Sequence, residues 1–230
     1  MSSSQDIQLS PVKELHLTDA DLWLDARMPK PHCFVSHAHA DHVARHQQIL
    51  CSPITAHLLQ ARYGITRDRL LIIDFHRPLP WKHFLLTLLP AGHIAGSSML
   101  HVVDLHHGTS LLYTGDYKLR PSRSIETAAW MLADTLIMES TFGLPRFVLP
   151  AAAEIEQQIC DFIDQALADG ETPVLLGYSL GKAQEIAAIL DASQRPYQNT
   201  TAVTRMTEAC REAGLNLSAP EPWMKEIPKG

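Results

Sequence analysis

The chain has 230 residues, of which 46% are hydrophobic and 19% charged, and a formal net charge of −6. That is the composition of a soluble globular protein with one large domain or one and a half ordinary ones. The negative balance argues against indiscriminate nucleic-acid binding, yet leaves room for a nuclease whose bound cations reverse the potential at the site itself.

Taken in chain order, residues 1–6 are polar and lack a basic region followed by an apolar core, so no signal peptide is expected. Short strands are predicted at 22–24, 33–36, 70–74, 83–89, 99–104, 110–113 and 135–138, with one helix from Thr55 to Tyr63 ended by Gly64. Strands in such number with few helices imply layered sheets with helices outside. The apolar run at 84–89 is far too short to span a bilayer, so no membrane partner is expected. After Pro150 the pattern changes. It predicts a helix over 151–168, a strand over 173–176, a tight turn at Gly177–Gly181, and helices over 182–190 and 203–213. The prolines at 220, 222 and 228 suggest a terminal loop. This places two domains at 1–148 and 149–230. The four cysteines, Cys33, Cys51, Cys160 and Cys210, have no paired spacing and read as buried thiols of a reducing compartment, the cytoplasm.

The chemistry concentrates in the first half. Residues 33–42 read Cys-Phe-Val-Ser-His-Ala-His-Ala-Asp-His, an apolar strand that delivers four metal-binding side chains within six residues. In an extended loop, His37 and His39 project to the same side and grip one cation, while Asp41 and His42 face a second. His93, held between glycines in Ala-Gly-His-Ile-Ala-Gly, can complete the first site. Asp116, in Tyr-Thr-Gly-Asp at another strand end, can bridge both sites with its two oxygens. Imidazole with carboxylate suits zinc, or manganese or iron in the same geometry. Two cations about 3.5–4 Å apart can activate a shared water and hold both oxygens of an in-line displacement. His46, His57, His76, His83, His101, His106 and His107 lack such surroundings and read as surface or structural residues.

Gly177-Tyr178-Ser179-Leu180-Gly181 fits the G-x-S-x-G pattern of a serine nucleophile elbow. All thirteen histidines lie between His16 and His107, so none follows Ser179 to complete a triad in the order Ser, acid, His. Two readings stay open for this turn: N–H groups facing a phosphate at a helix start, with Ser179 and Lys182 as contacts, or plain structural glycines.

The histidine run, His93 and Asp116 together resemble the metallo-β-lactamase superfamily. Met138-Glu139-Ser140-Thr141-Phe142-Gly143 and the turn through Glu185 are similar to the β-CASP nucleases, and 141–145 to DNA-ligase-associated exonucleases. The resemblance runs from Leu15 to Gly214. It implies an αββα sandwich followed by the start of a β-CASP cap. By the same resemblance Asp25 orients a histidine ligand and Glu139 assists the leaving group. Family members carry two further histidines beyond the cap. The chain is therefore expected to be a front fragment whose second metal has only Asp41, His42 and Asp116.

The expected function is hydrolysis of phosphodiester bonds in DNA or RNA through a two-metal-activated hydroxide, with two divalent cations, zinc or else manganese, as cofactors. Lys118, Arg120 and Arg123 are candidates to hold the nucleic-acid backbone. A DNA ligase or another repair or processing protein is a candidate partner, and self-association is a further expectation. The alternatives are a thioester or lactone hydrolase on the same scaffold, or a catalytically incomplete fragment.

Overall fold

The computed structural model describes residues 7–10 and 14–223. The chain divides into two units, Met1–Glu139 and Ser140–Gly230, against an expected division at 148/149.

The first unit holds two sheets. One consists of β1 (Leu9–Ser10), β2 (Leu15–Leu17), β3 (Leu22–Leu24), β4 (His32–Phe34), β5 (Gln48–Cys51) and β6 (Leu70–Ile72), in that spatial order. Its pairing is antiparallel as far as β3 and parallel from β3 to β6. The other has the order β11 (Thr135–Ile137), β10 (Ser110–Tyr113), β9 (Ser98–Asp104), β8 (Phe84–Pro90), β7 (Leu79–Trp81). It is antiparallel except for the β10–β11 pair.

Strand periodicity decides what lies between the sheets. Alternate residues of a strand point to opposite faces. Phe84, Leu86 and Leu88 of β8, Leu100 and Val102 of β9, and Leu111 and Tyr113 of β10 share one buried cluster with Leu22, Leu24, Phe34 and Leu50 of the first sheet. The intervening Leu89, Met99 and Leu112 form a separate cluster on the opposite face. Each fully buried Leu or Phe in such a core contributes about 1.5–3 kcal/mol. The sheets therefore face one another, in the layered α/β arrangement expected.

The helix α1 (Pro53–Tyr63) links β5 to β6 and has local signals at both ends. Ser52 Oγ accepts the Thr55 N–H at 3.1 Å and Pro53 takes the first turn. Gly64, at φ 66°, ends the helix by donating its N–H to Gln60 O. Among the described residues no helix is long and apolar enough to cross a membrane.

The second unit contains α2 (Ala152–Ala168), α3 (Lys182–Ala192), β12 (Gln198–Asn199), α4 (Thr201–Glu212) and β13 (Glu221–Pro222). The strand expected at 173–176 does not form. Val174 and Leu176 are exposed and no neighbouring strand pairs with them among the described residues. Apolar alternation alone does not make a strand where no partner takes up the ladder hydrogen bonds. The terminal loop expected from the prolines contains β13, which pairs in parallel with β12. Of the four thiols, Cys160 is only partly buried.

Candidate metal centre

The parallel strand β4 stops at Phe34, and its continuation is fixed from both sides. Val35 N–H donates to Leu50 O and Ser98 N–H donates to Ser36 O. His37 then emerges fully buried, and a single 3-10 turn at Ala40–His42 brings Asp41 and His42 back toward it. His93 is set by the tight loop after β8, where Ser97 Oγ accepts the N–H groups of His93 (3.0 Å) and Ile94 (3.2 Å). That loop is pinned to the start of α1, because Ser52 Oγ and Thr55 Oγ1 both donate to Gly96 O. A Cβ at Gly96 would lie 2.6 Å from Ile54 Cβ, so only glycine permits the approach. Asp116 follows β10 through Gly115, at φ 54°, where a Cβ would lie 2.6 Å from Ser36 Cβ.

Two donor sets result. His37 Nε2 lies 3.0 Å from His39 Nδ1, and His93 Nε2 lies 3.3 Å from the same atom. Asp116 Oδ2 is 4.0 Å from His37 Nε2 and 3.7 Å from His93 Nε2. The other carboxylate oxygen, Oδ1, is 3.6 Å from His42 Nε2, which is also 3.7 Å from Asp41 Oδ2. Zinc–nitrogen bonds of about 2.0–2.1 Å in tetrahedral array separate donors by about 3.3 Å, so these spacings fit a metal ion. The three rings of the first set are mutually near perpendicular, at 77° to 87°, and one donor atom of each lies within 4.8 Å of the others. Three imidazole nitrogens facing one another cannot all be satisfied by each other's protons; a cation at their centre resolves the conflict.

Electrostatics points the same way. Burial, reinforced by the other imidazoles, holds His37 well below its usual range and takes His93 down to about 4, so both stay neutral and ready to ligate. Burial also opposes charge on His42, but Asp25, Asp116 and Asp41 together raise it. Burial raises Asp116, with His42 acting against it and Glu139, Asp25 and Asp41 adding to the effect. Carboxylates so crowded are relieved by cations.

Asp25 lies behind the donors rather than among them. Its Oδ1 accepts Ser36 N–H at 2.7 Å, and its Oδ2 accepts Tyr113 O–H at 2.8 Å and lies 3.0 Å from His42 Nδ1. With Nδ1 so engaged, His42 presents Nε2 to the centre. Asp25 adopts φ 45°, a left-handed conformation uncommon outside glycine, asparagine and aspartate, and these partners hold it there. Ser36 Oγ plays the corresponding part for His37, 2.9 Å from its Nδ1. Neither Ser36 nor Tyr113 stands out in the sequence, although Ser36 directly precedes the first ligand.

Glu139 is half-buried at the end of β11, with its N–H donated to Thr114 Oγ1, and its charge acts on both His93 and Asp116. Lys118 also acts on His93. Arg120 and Arg123 are exposed in the following loop. Ser179 and Lys182 lie in the second unit, where the turn spends its donors internally: Gly181 N–H goes to Gln184 Oε1 and Ala183 N–H to Tyr178 O. Gln184, which the sequence did not single out, is buried and also donates to Thr207 Oγ1 at 2.9 Å, tying the turn to α4. These bonds favour the structural reading of the turn over the phosphate-facing one.

Of the remaining histidines, His83 and His106 stack at 4.3 Å and their donor atoms gather with Asp104 into a further cluster. Asp104 is already engaged there, accepting the N–H groups of His106 and His107 and facing His107 Nδ1 at 2.9 Å, which makes this the frame of a turn. His46 is fully buried with neither ring nitrogen partnered among the described residues, and its carbonyl accepts from the Arg69 guanidinium.

No family model matches the chain. Among curated proteins it is 42% identical to a probable DNA ligase of Opitutus terrae, over 87% of this chain and 20% of that one. It is 29% identical to an RNase J-like protein of Methanocaldococcus jannaschii, over 68% of this chain and 42% of that one. It is 33% identical to the 5′ exonuclease Apollo of Rattus norvegicus, over 65% of this chain and 29% of that one. The chain thus spans less than half the length of each of these relatives. A crystal structure of a protein of unknown function from Enterococcus faecalis shares its fold, with a TM-score of 0.54 at 16% identity over 85% of this chain and 52% of the other. With two facing sheets, histidine and aspartate donors gathered at their strand ends, and these relatives, the chain is similar to the nucleases of the metallo-β-lactamase superfamily, of the β-CASP type.

Proposed function

We propose that the chain carries the metal centre of a nuclease that hydrolyses phosphodiester bonds in DNA or RNA. The observation that carries this reading is the placement of Asp116, with one oxygen toward His37 and His93 and the other toward His42. His37, His39, His93 and Asp116 would hold one divalent cation, and Asp41, His42 and Asp116 a second, with zinc best suited and manganese next. Two such cations supply charge neutralisation at the phosphate and a lowered pKa for water. The chain's own residues do the rest. Asp25 and Ser36 fix the ring orientations of His42 and His37. Asp116 keeps the two donor sets in one geometry. Glu139, whose charge acts on His93 and Asp116, would pass a proton to the departing oxygen, and Lys118, whose charge acts on His93, would steady the phosphate. Arg120, Arg123 and Lys182 are exposed cations available to the strand beyond.

The names of the relatives support a nucleic-acid substrate, and that of the Opitutus protein, a probable DNA ligase, is the ground for proposing a DNA ligase as partner. A cytoplasmic setting is part of the same proposal. In this reading the unit ending at Glu139 is the metal-binding domain and the following unit is cap material. The test is single-turnover hydrolysis of labelled single-stranded DNA and RNA. Cleavage should vanish with chelator and return with zinc or manganese. A metal-loaded chain that leaves both strands intact while opening a thioester or lactone would overturn the proposal.

A further inference from the structure

We infer that the cavity beside the metal-binding loop seats a phosphate of the polynucleotide strand, a reading that rests on the nuclease function proposed above. The cavity has a volume of about 410 Å³, and its walls include Val43, Arg45, Tyr63, Ile65 and Arg69. Two guanidinium groups line it and no carboxylate does, which runs against the chain's net charge of −6.

The two arginines differ in a useful way. Arg69 is fixed: its Nε and Nη2 donate to His46 O, which leaves Nη1 uncommitted. Arg45 is exposed and meets no carboxylate among the described residues. One anchored and one adjustable guanidinium form a fork for the oxygens of a phosphodiester. Tyr63 closes the wall and ties it to the metal loop by donating its hydroxyl to Ala38 O at 3.2 Å; Arg62 donates to the same oxygen.

The occupant follows from chain geometry. Val43, Ala44 and Arg45 directly follow His42, so at most about 10 Å of extended backbone separates the last metal donor from the cavity's arginine. A strand whose reacting phosphate lies at the metal centre therefore has another phosphate within reach of the fork. A free anion would gain nothing from this adjacency.

The test uses the full chain and a fluorescent single-stranded oligonucleotide, with affinity followed by anisotropy over a range of salt. Arg45→Glu should weaken binding about tenfold or more at low salt, and flatten the salt dependence by at least the about 0.7 assigned to one phosphate of a single strand. Zinc content should not change. Arg77→Glu alters charge equally on an exposed residue whose ion pair is with Asp74, and should have a much smaller effect. Equal effects of the two variants, on a wild-type chain that still cleaves, would overturn the phosphate seat and leave the nuclease reading standing. Inorganic phosphate that competes as well as the oligonucleotide would show a seat for free anions and also overturn it. A wild-type chain that neither binds nor cleaves strands would remove both.

Discussion

The two units differ in how much of their apolar surface they bury: the first has a broad core between sheets, the second a smaller one around Leu180, Leu190 and Met206. Up to Glu139, Phe34, Leu50, Phe84 and Leu100 are fully buried between facing sheets. From Ser140 onward, Phe142, Leu144, Val148, Phe162, Val174 and Leu176 are exposed. The chemistry divides with the packing, since every histidine belongs to the first unit. A ligand set must be held within fractions of an ångström, and only residues backed by a dense core and fixed loops can hold it so.

The largest effect expected is on turnover. Asp116→Ala removes the side chain whose two oxygens face His37 and His93 on one side and His42 on the other. Metal-derived stabilisation of several kcal/mol corresponds to a loss of at least about 10³-fold in rate. Circular dichroism should stay unchanged, because Asp116 is outside the core. Collapse of the fold instead would erase the distinction between site and scaffold. Next comes stability. Leu50→Ala should cost about 2–5 kcal/mol in urea unfolding, whereas Leu176→Ser should stay within about 0.5 kcal/mol. Similar losses at both positions would break the contrast between the units. Asp25→Asn should lower metal affinity about 10–100-fold, read by competition with a chelating dye, because His42 loses the acceptor that orients it. The smallest effect is expected at Ser179→Ala, with the rate unchanged; a true nucleophile would cost orders of magnitude.

The sequence revealed the donors more readily than it did their support. His37, His39, Asp41 and His42 crowd into six positions, and His93 and Asp116 each follow an apolar strand beside a glycine, so proximity could be read directly. Strands of the central core were legible as apolar runs, Leu-Trp-Leu in β3 and Leu-Leu-Tyr in β10. β5 and β7 were not, since the polar Gln48 opens one and Pro80 interrupts the other, and each is fixed by pairing with neighbouring strands. Conversely, residues 173–176 have strand composition but no partner strand among the described residues. The hydroxyls of Ser36 and Tyr113 were hidden because their role depends on Asp25, which lies 11 residues from one and 88 from the other.

His46 carries a cost that appears only in acid. Burial, with Arg69 nearby, takes its pKa from the ordinary 6.5 to about 4. The unfolded chain accepts a proton there at about 6.5 while the folded chain refuses it, so each step down in pH between these values favours unfolding. Above 6.5 the two states are equally unprotonated and the penalty disappears. The fold thus contains a proton-linked limit on its own acid tolerance, separate from the metal donors. Replacing His46 with leucine should flatten the acid limb of the stability curve between pH 6.5 and about 4, leaving a protein whose thermal midpoint follows acidity less steeply than its parent's.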